Sequence, residues 1–218
     1  MMQTSLQIGT RGWIYPAWNE AFYDPDLPVE WQLSWYANHL RAVLVPADTM
    51  HEVNVARAQD WVEDTDPEFR FIVEIGPTGP DEGEDQARAS FARSLAQSFA
   101  GQLDALLFTS QPGSAPDWAA LDTLRQDFPE VAICVDGVTA DAIPAGFGNC
   151  WHVGEGASLV PSPYTVAFCA HGALPVLREV IQTVQDTLPG GGALILTDPA
   201  LAYHHAKEAR MIADLLDA

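Results

Sequence analysis

The sequence predicts an α/β protein, a single compact (β/α)8 TIM-barrel-like domain spanning residues 1–218, with one helix short or missing. Three observations carry that expectation. Short runs rich in β-branched and aliphatic residues alternate about eight times with longer amphipathic stretches. Several runs are apolar throughout, as in Ala-Leu-Leu-Phe at 105–108 and Ala-Leu-Ile-Leu at 193–196, the pattern of parallel strands covered on both faces. No Pro/Ser linker or break in composition divides the chain, and an open doubly wound sheet usually has fewer strands.

The elements follow in order. A first strand at Leu6–Thr10 runs into a loop dense in glycine and aromatics, then a helix at Trp31–Leu40. The second strand, Ala42–Ala47, leads to a helix at Val53–Val62. The third, Phe69–Gly76, precedes Glu84–Ala100, where Ala87, Phe91, Leu95 and Phe99 recur every four residues as one apolar stripe ended by Gly101. After Ala105–Thr109, Asp117 precedes a helix carrying Trp118, Leu121, Leu124 and Phe128, with Pro129 just past its stop. The fifth strand is Val131–Asp136, and the Gly- and Pro-rich segment Thr139–Asn149 behind it is too short for a proper helix. Strands at Cys150–Val153 and Thr165–His171 follow, then a helix at Pro175–Leu188. Gly190-Gly191-Gly192 turns the chain into Ala193–Thr197, and Ala200–Leu216 is the last helix.

Composition narrows the function. The 218 residues include 30 acidic and 10 basic side chains, a formal charge of −20, and 48% are apolar. That supplies a sizeable core and argues against disorder. The acidic excess disfavours DNA, RNA or an anionic membrane surface as the main partner, because phosphate binding needs clustered Lys and Arg. Lys207 is the single lysine, a skew that concerns surface solubility more than chemistry. Cys134, Cys150 and Cys169 follow no CxxC or paired metal spacing and lie in or beside apolar runs, as buried thiols in a reducing compartment do. Met1–Ile8 lacks the basic start and apolar stretch of a secretory signal, and no apolar run approaches the ~20 residues that span a bilayer. The expected location is the cytoplasm. With no G-x-G-x-x-G, P-loop, nucleophile elbow or H-E-x-x-H, no cofactor is expected.

In a barrel of this kind functional side chains gather just beyond the C-terminal ends of the strands. Those positions hold Arg11, then Asp48 and His51, Glu74, Thr109 and Gln111, Asp136, His152 and Glu155, His171, and Thr197 with Asp198. The expected catalytic set is His171, Asp136 and Glu74. The expected binding set is Arg11, Trp13, Tyr15, Trp18, Asp48, His152 and Asp198, around a small molecule at the barrel mouth. These imidazoles and carboxylates are metal-ligand types, but no spacing groups them and no metal is assigned. Polar strand ends are also what any barrel rim presents to water. Trp13, Tyr15 and Trp18 offer flat apolar faces with polar tips, which suit either a binding floor or a plug at one end of the barrel. His204-His205 reads as a helix face.

One stretch is more specific. Ile8-Gly9-Thr10-Arg11-Gly12-Trp13-Ile14-Tyr15-Pro16-Ala17-Trp18, then Phe22-Tyr23, Leu27-Pro28 and Trp35-Tyr36-Ala37, resembles the opening of the YecE-like family, also called domain of unknown function 72. The family's pattern is I-G-T-S-G-W-x-Y-x-x-W, then F-Y-P, L-P and a Y-A helix. Fainter echoes are Phe69-Arg70-Phe71, His171-Gly172, and Ala206 with Ala209. The resemblance implies a TIM-barrel-like fold and a family without an established reaction.

The departures are informative. Where the family carries V-E-x-N-x-T-F-Y, residues 43–50 place Leu44 and Pro46 at the Glu and Asn positions. A third-strand Lys aligns with Glu74, E-x-R-H with Cys134-Val135-Asp136-Gly137, an Arg two residues before His171 with Cys169, and an Asn-Asn pair with Thr197-Asp198. Basic and amide groups suited to an anionic ligand are thus exchanged for apolar or acidic ones. The expectation is a member with a degenerate ancestral site and a binding or otherwise non-catalytic role. The alternative is a small-molecule hydrolase or isomerase with its site at the C-terminal mouth. His171, the retained residue, is then either a structural histidine bonded through its ring or the general acid or base.

Overall fold

The structure, a computed structural model, describes residues 6–50, 55–77, 84–110, 116–156, 158–188 and 190–216. Eight parallel strands close a barrel in chain order: β1 (Gln7–Arg11), β2 (Ala42–Val45), β3 (Arg70–Ile75), β4 (Leu103–Thr109), β5 (Ala132–Asp136), β6 (Gly148–His152), β7 (Thr165–Cys169) and β8 (Gly192–Leu196). β8 pairs back onto β1 through Ile8↔Leu194 and Gly9↔Ile195, which removes both sheet edges. This is the predicted barrel, with strand bounds displaced by a few residues at most.

Alternation along each strand builds two cores. Leu44, Ile72, Leu107, Cys134, Val166 and Ile195 fill the barrel interior. Their neighbours Val43, Val45, Phe71, Val73, Leu106 and Phe108 face the surrounding helices. Every residue of β2 and β8 is consequently buried, which is why those strands read as unbroken apolar runs.

The helices are α1 (Gln32–Ala37), α2 (Ala47–Met50), α3 (Val55–Glu63), α4 (Glu84–Ser98), α5 (Trp118–Asp127), α6 (Leu174–Thr187) and α7 (Ala202–Leu216). Asp117 caps α5, its side chain accepting from the Ala119 and Ala120 amides. On α4 the expected stripe is corrected: Ala87 and Phe91 are exposed, and the buried face is Ala89, Ala92, Leu95, Ala96 and Phe99. A strict four-residue step advances 400° and drifts off the face, whereas a mean step near 3.6 stays on it. Alanines on that face let the helix lie close to the barrel.

The β5–β6 connection holds only a single 3₁₀ turn, Ala140–Ala142, as its short Gly/Pro-rich sequence predicts. A second gap has no counterpart in the sequence expectations. Among the described residues, 153–164 between β6 and β7 also contains no helix. Gly154 and Gly156 take positive φ there, and Pro161 and Pro163 follow, so helical hydrogen bonding is broken at both ends. Buried Asn149 holds the returning chain instead. Its side chain accepts from Thr165 Oγ1 at 2.6 Å and donates to the Val160 carbonyl at 3.1 Å. Cys134, Cys150 and Cys169 are free thiols. Among the described residues no helix is long and apolar enough to cross a membrane.

Candidate functional site

The last inward-facing positions of the strands converge at the C-terminal mouth. Arg11, Ala47, Asp48, Glu74, Pro77, Thr109, Asp136, His152, Val153, Glu155, Phe168, Ala170 and Thr197 line a cavity of about 570 Å³. That volume suits a small molecule.

Two polar pairs organise the lining. Arg11 Nε donates to Glu74 Oε1 at 2.9 Å and Nη2 donates to Oε2 at 2.7 Å. The Ala47 amide adds a third bond to Oε2 at 3.1 Å, so the nearly buried carboxylate is fully engaged. The hydrogen bond to Glu74, helped by the charges of Glu74 and Asp48 and opposed by burial, holds the Arg11 guanidinium above its ordinary range. Across the mouth, His152 Nε2 lies 3.0 Å from Asp136 Oδ1, which also accepts from the Gly137 amide at 2.8 Å. The His152 ring stacks on Phe168 with centroids 5.1 Å apart and planes at 21°.

The expected catalytic trio is not assembled. Asp136 and Glu74 line the cavity, but Glu74 is held by Arg11. His171 is exposed and absent from the lining. β7 ends at Cys169, and the inward positions beside it are Phe168 and Ala170, so His171 falls on the other side of the pleat. Its ring rests against Gly154, where an added Cβ would meet Nε2 at 3.3 Å, and makes no hydrogen bond among the described residues. The ring-bonded structural histidine is therefore not found either. His152 is the imidazole in the mouth.

Of the expected binding residues, Arg11, Asp48 and His152 line the cavity, as do Thr109, Glu155 and Thr197. Trp13, Tyr15 and Trp18 do not. Trp13 is buried edge-on against Trp61, with centroids 5.0 Å apart. Trp18 is wholly buried beside Tyr15, Phe22, Tyr23, Tyr36 and Tyr203, and its indole donates to the Pro199 carbonyl at 3.0 Å. The Tyr15 hydroxyl donates to the Arg11 carbonyl and so braces the end of β1. Trp18 thus wedges the first loop between Tyr36 of α1 and Tyr203 of α7, while Trp13 anchors it on Trp61 of α3. Asp198 Oδ1 accepts from the Ala200 and Leu201 amides and caps the turn into α7. His51 and Gln111 lie outside the described residues. His204 is exposed beside Glu208, at 3.4 Å, and His205 packs its ring on Gly172. Among the described residues no three His, Cys, Asp or Glu side chains converge as metal ligands.

Polar strand ends do not reveal the apolar part of the lining. Counting by twos from buried Val166 would have placed Phe168 in the mouth. The same parity corrects one aligned departure. Cys169 is buried toward the helices, so it does not occupy a mouth position. Two of the mouth positions that differ from the family pattern have found partners. Arg11 stands where the family pattern has Ser, Glu74 where it has Lys, and the two bond to each other. Asp136, at the Arg position of E-x-R-H, bonds to His152.

Comparison with known proteins agrees with this architecture. Residues 7–137 match the family described as "Protein of unknown function DUF72". A DUF72 family protein from Thermotoga maritima MSB8 superposes with a TM-score of 0.69 at 14% identity, over 98% of this chain and 99% of that one. One from Enterococcus faecalis V583 gives 0.66 at 14% identity, over 96% of each chain. D-psicose 3-epimerase from Clostridium cellulolyticum H10, solved with D-tagatose, gives 0.53 at 8% identity over 97% of each chain, a likeness of fold alone. No curated protein matches the sequence. A match across more than half the chain, on a barrel shared end to end with solved members, places this protein in the DUF72 family.

Proposed function

We propose that this protein is a small-molecule-binding barrel whose mouth takes a neutral or cationic polar ligand, its ancestral site being degenerate. The observation that carries the reading is the fate of Arg11. Among the described residues it is the one Lys or Arg in the cavity lining, and its Nε/Nη2 edge is spent on Glu74. Asp48, Asp136 and Glu155 remain, so the lining is net negative and ill suited to phosphate or carboxylate groups. Phe168, Ala170, Val153 and Pro77 supply apolar wall, and Thr109 and Thr197 supply hydroxyls. The bonding of Glu74 to Arg11 and of Asp136 to His152 supports a rebuilt mouth over a merely eroded one. The chain's charge of −20 opposes nucleic acid as a partner, and three unpaired cysteines fit the cytoplasm.

The test is a thermal-shift screen of polyols, primary amines and phosphorylated compounds, repeated on Asp136→Asn. A ligand at 100 times its Kd stabilises by about 2.7 kcal/mol, a readily measured shift. Amines or polyols are expected to stabilise the wild type and to lose effect in the variant. Stabilisation by phosphorylated compounds alone would reverse the proposal. A second reading, an enzyme at the same mouth, is favoured by the oriented His152 ring.

A further inference from the structure

We infer that His152 is a proton acceptor aimed into the mouth by Asp136, and that the chemistry it supports is proton abstraction from an uncharged acid bound in the cavity. The inference rests on the mouth being a ligand site. Three contacts fix the ring. Nε2 is bonded to Asp136 Oδ1, one face lies on Phe168, and Asp136 is itself locked by the Gly137 amide. That last lock needs glycine: residue 137 has φ +80°, and a Cβ there would sit 2.7 Å from the Ser110 carbonyl oxygen. Asp136 and Gly137 together replace the last two residues of the family's E-x-R-H, so the carboxylate and the turn that orients it arrive together.

A carboxylate beside Nε2 places the neutral ring's proton on that nitrogen and leaves the lone pair on Nδ1. Nδ1 has no hydrogen-bond partner among the described residues, and the His152 side chain keeps 38% of its surface exposed. When Nδ1 takes a proton, Asp136 stabilises the imidazolium, the positioning role such a carboxylate plays in general-base catalysis. Two of the competing carboxylates, Glu74 and Asp48, are less free. Glu74 is engaged three times, and Asp48 accepts from the Thr49 amide. Glu155 and Asp48 line the same cavity and, with Asp136 and the Arg11–Glu74 pair, are the charged groups that face the ring.

The test uses 5-nitrobenzisoxazole, a neutral probe that reports a positioned base in one step. The proton on C3 passes to Nδ1, its bonding pair forms the nitrile, and the N–O bond breaks to leave 2-cyano-4-nitrophenolate. The imidazolium then returns its proton to water. The wild type is expected to turn over the probe saturably, and His152→Gln to lower the rate by about 100-fold, the low end of a general base's contribution. His171→Gln is the control and should leave the rate unchanged. Asp136→Asn should lower kcat at a nearly unchanged KM, a split that a packing role for Asp136 would not produce. An equal rate in His152→Gln overturns the inference, as does a wild-type rate that never saturates and only equals that of free imidazole. A His152-dependent rate without any thermal shift from amines or polyols would defeat the ligand-class reading and keep the base. Thermal shifts with a His152-independent rate would do the reverse.

Discussion

Arg11 and Glu74 reach over the end of β2 from β1 and β3 and close a two-pronged ion pair at 2.9 and 2.7 Å. The two partners differ in access to water: the arginine side chain is 39% exposed and the glutamate 7%. Removing one is therefore not equivalent to removing the other.

Glu74→Gln releases an arginine that can turn to solvent, at a cost of about 1–3 kcal/mol. Arg11→Ala strands a nearly buried carboxylate with only the Ala47 amide, and should cost about 3–5 kcal/mol. The double variant Arg11→Met with Glu74→Leu should cost less than the sum of the singles, because it leaves no charge behind. Urea unfolding of the set checks this, and a larger loss for Glu74→Gln than for Arg11→Ala would refute the asymmetry.

Gly9 is the tightest point of the first motif. It pairs with Ala42, and a Cβ at Gly9 would lie 2.0 Å from the Ala42 carbonyl oxygen and 2.6 Å from its carbon. Both atoms are backbone of a buried strand, so neither can swing aside. Gly9→Ala is expected to cost above about 3 kcal/mol, beyond the usual range for overpacking. At Gly101 an added Cβ meets nothing within 4 Å, and Gly101→Ala should stay within about 0.5 kcal/mol of the parent. Melting temperatures of the two variants give the comparison, and equal melts would show that β1 can shift.

What the sequence makes legible is the part set by periodicity and burial. Strands covered on both faces must be apolar, so Leu103–Thr109 and Gly192–Leu196 announce themselves. The mouth was half legible. Arg11, Glu74, Asp136 and His152 follow from strand ends, but His171 was preferred because it matched a family motif, whereas the pleat puts Phe168 and Ala170 inward. Trp18 could not be resolved from sequence, since an aromatic loop serves equally as wall or wedge. Its five aromatic neighbours include Tyr203 and Tyr36 as well as rings of its own loop, and such contacts have no local signal.

Charge supplies a global expectation. At −20 the folded chain repels itself more than the expanded one does, and the Debye length falls from ~30 Å at 0.01 M salt to ~3 Å at 1 M. The melting temperature should therefore rise with added sodium chloride. A flat or falling curve across that range would mean that local pairs outweigh the net charge.

The opposite end of the barrel carries a pH dependence of its own. Asp104, on β4, accepts a hydrogen bond from the hydroxyl of buried Tyr164. Burial pushes the Asp104 carboxyl above its ordinary 3.8, partly offset by that hydrogen bond and by the charge of Arg70. Burial, then Asp104 itself, pushes the Tyr164 phenol well up, so it remains the donor throughout. The native state thus holds the Asp104 proton to a higher pH than the unfolded chain does. Stability from this group is greatest below 3.8, falls as pH rises through the window above it, and stays reduced once the native carboxyl has ionised. Asp104→Asn keeps an oxygen to accept from Tyr164 and removes the ionisation. Relative to the variant, the wild type should lose stability between about pH 4 and the raised native value, then run parallel to it. Urea melts of both proteins from pH 3.5 to 7 measure the difference, in which the other carboxylates largely cancel. If the wild type instead gains on the variant as pH rises, Asp104 is ionised more readily in the fold than in the open chain, and its pairing with Tyr164 outweighs its burial.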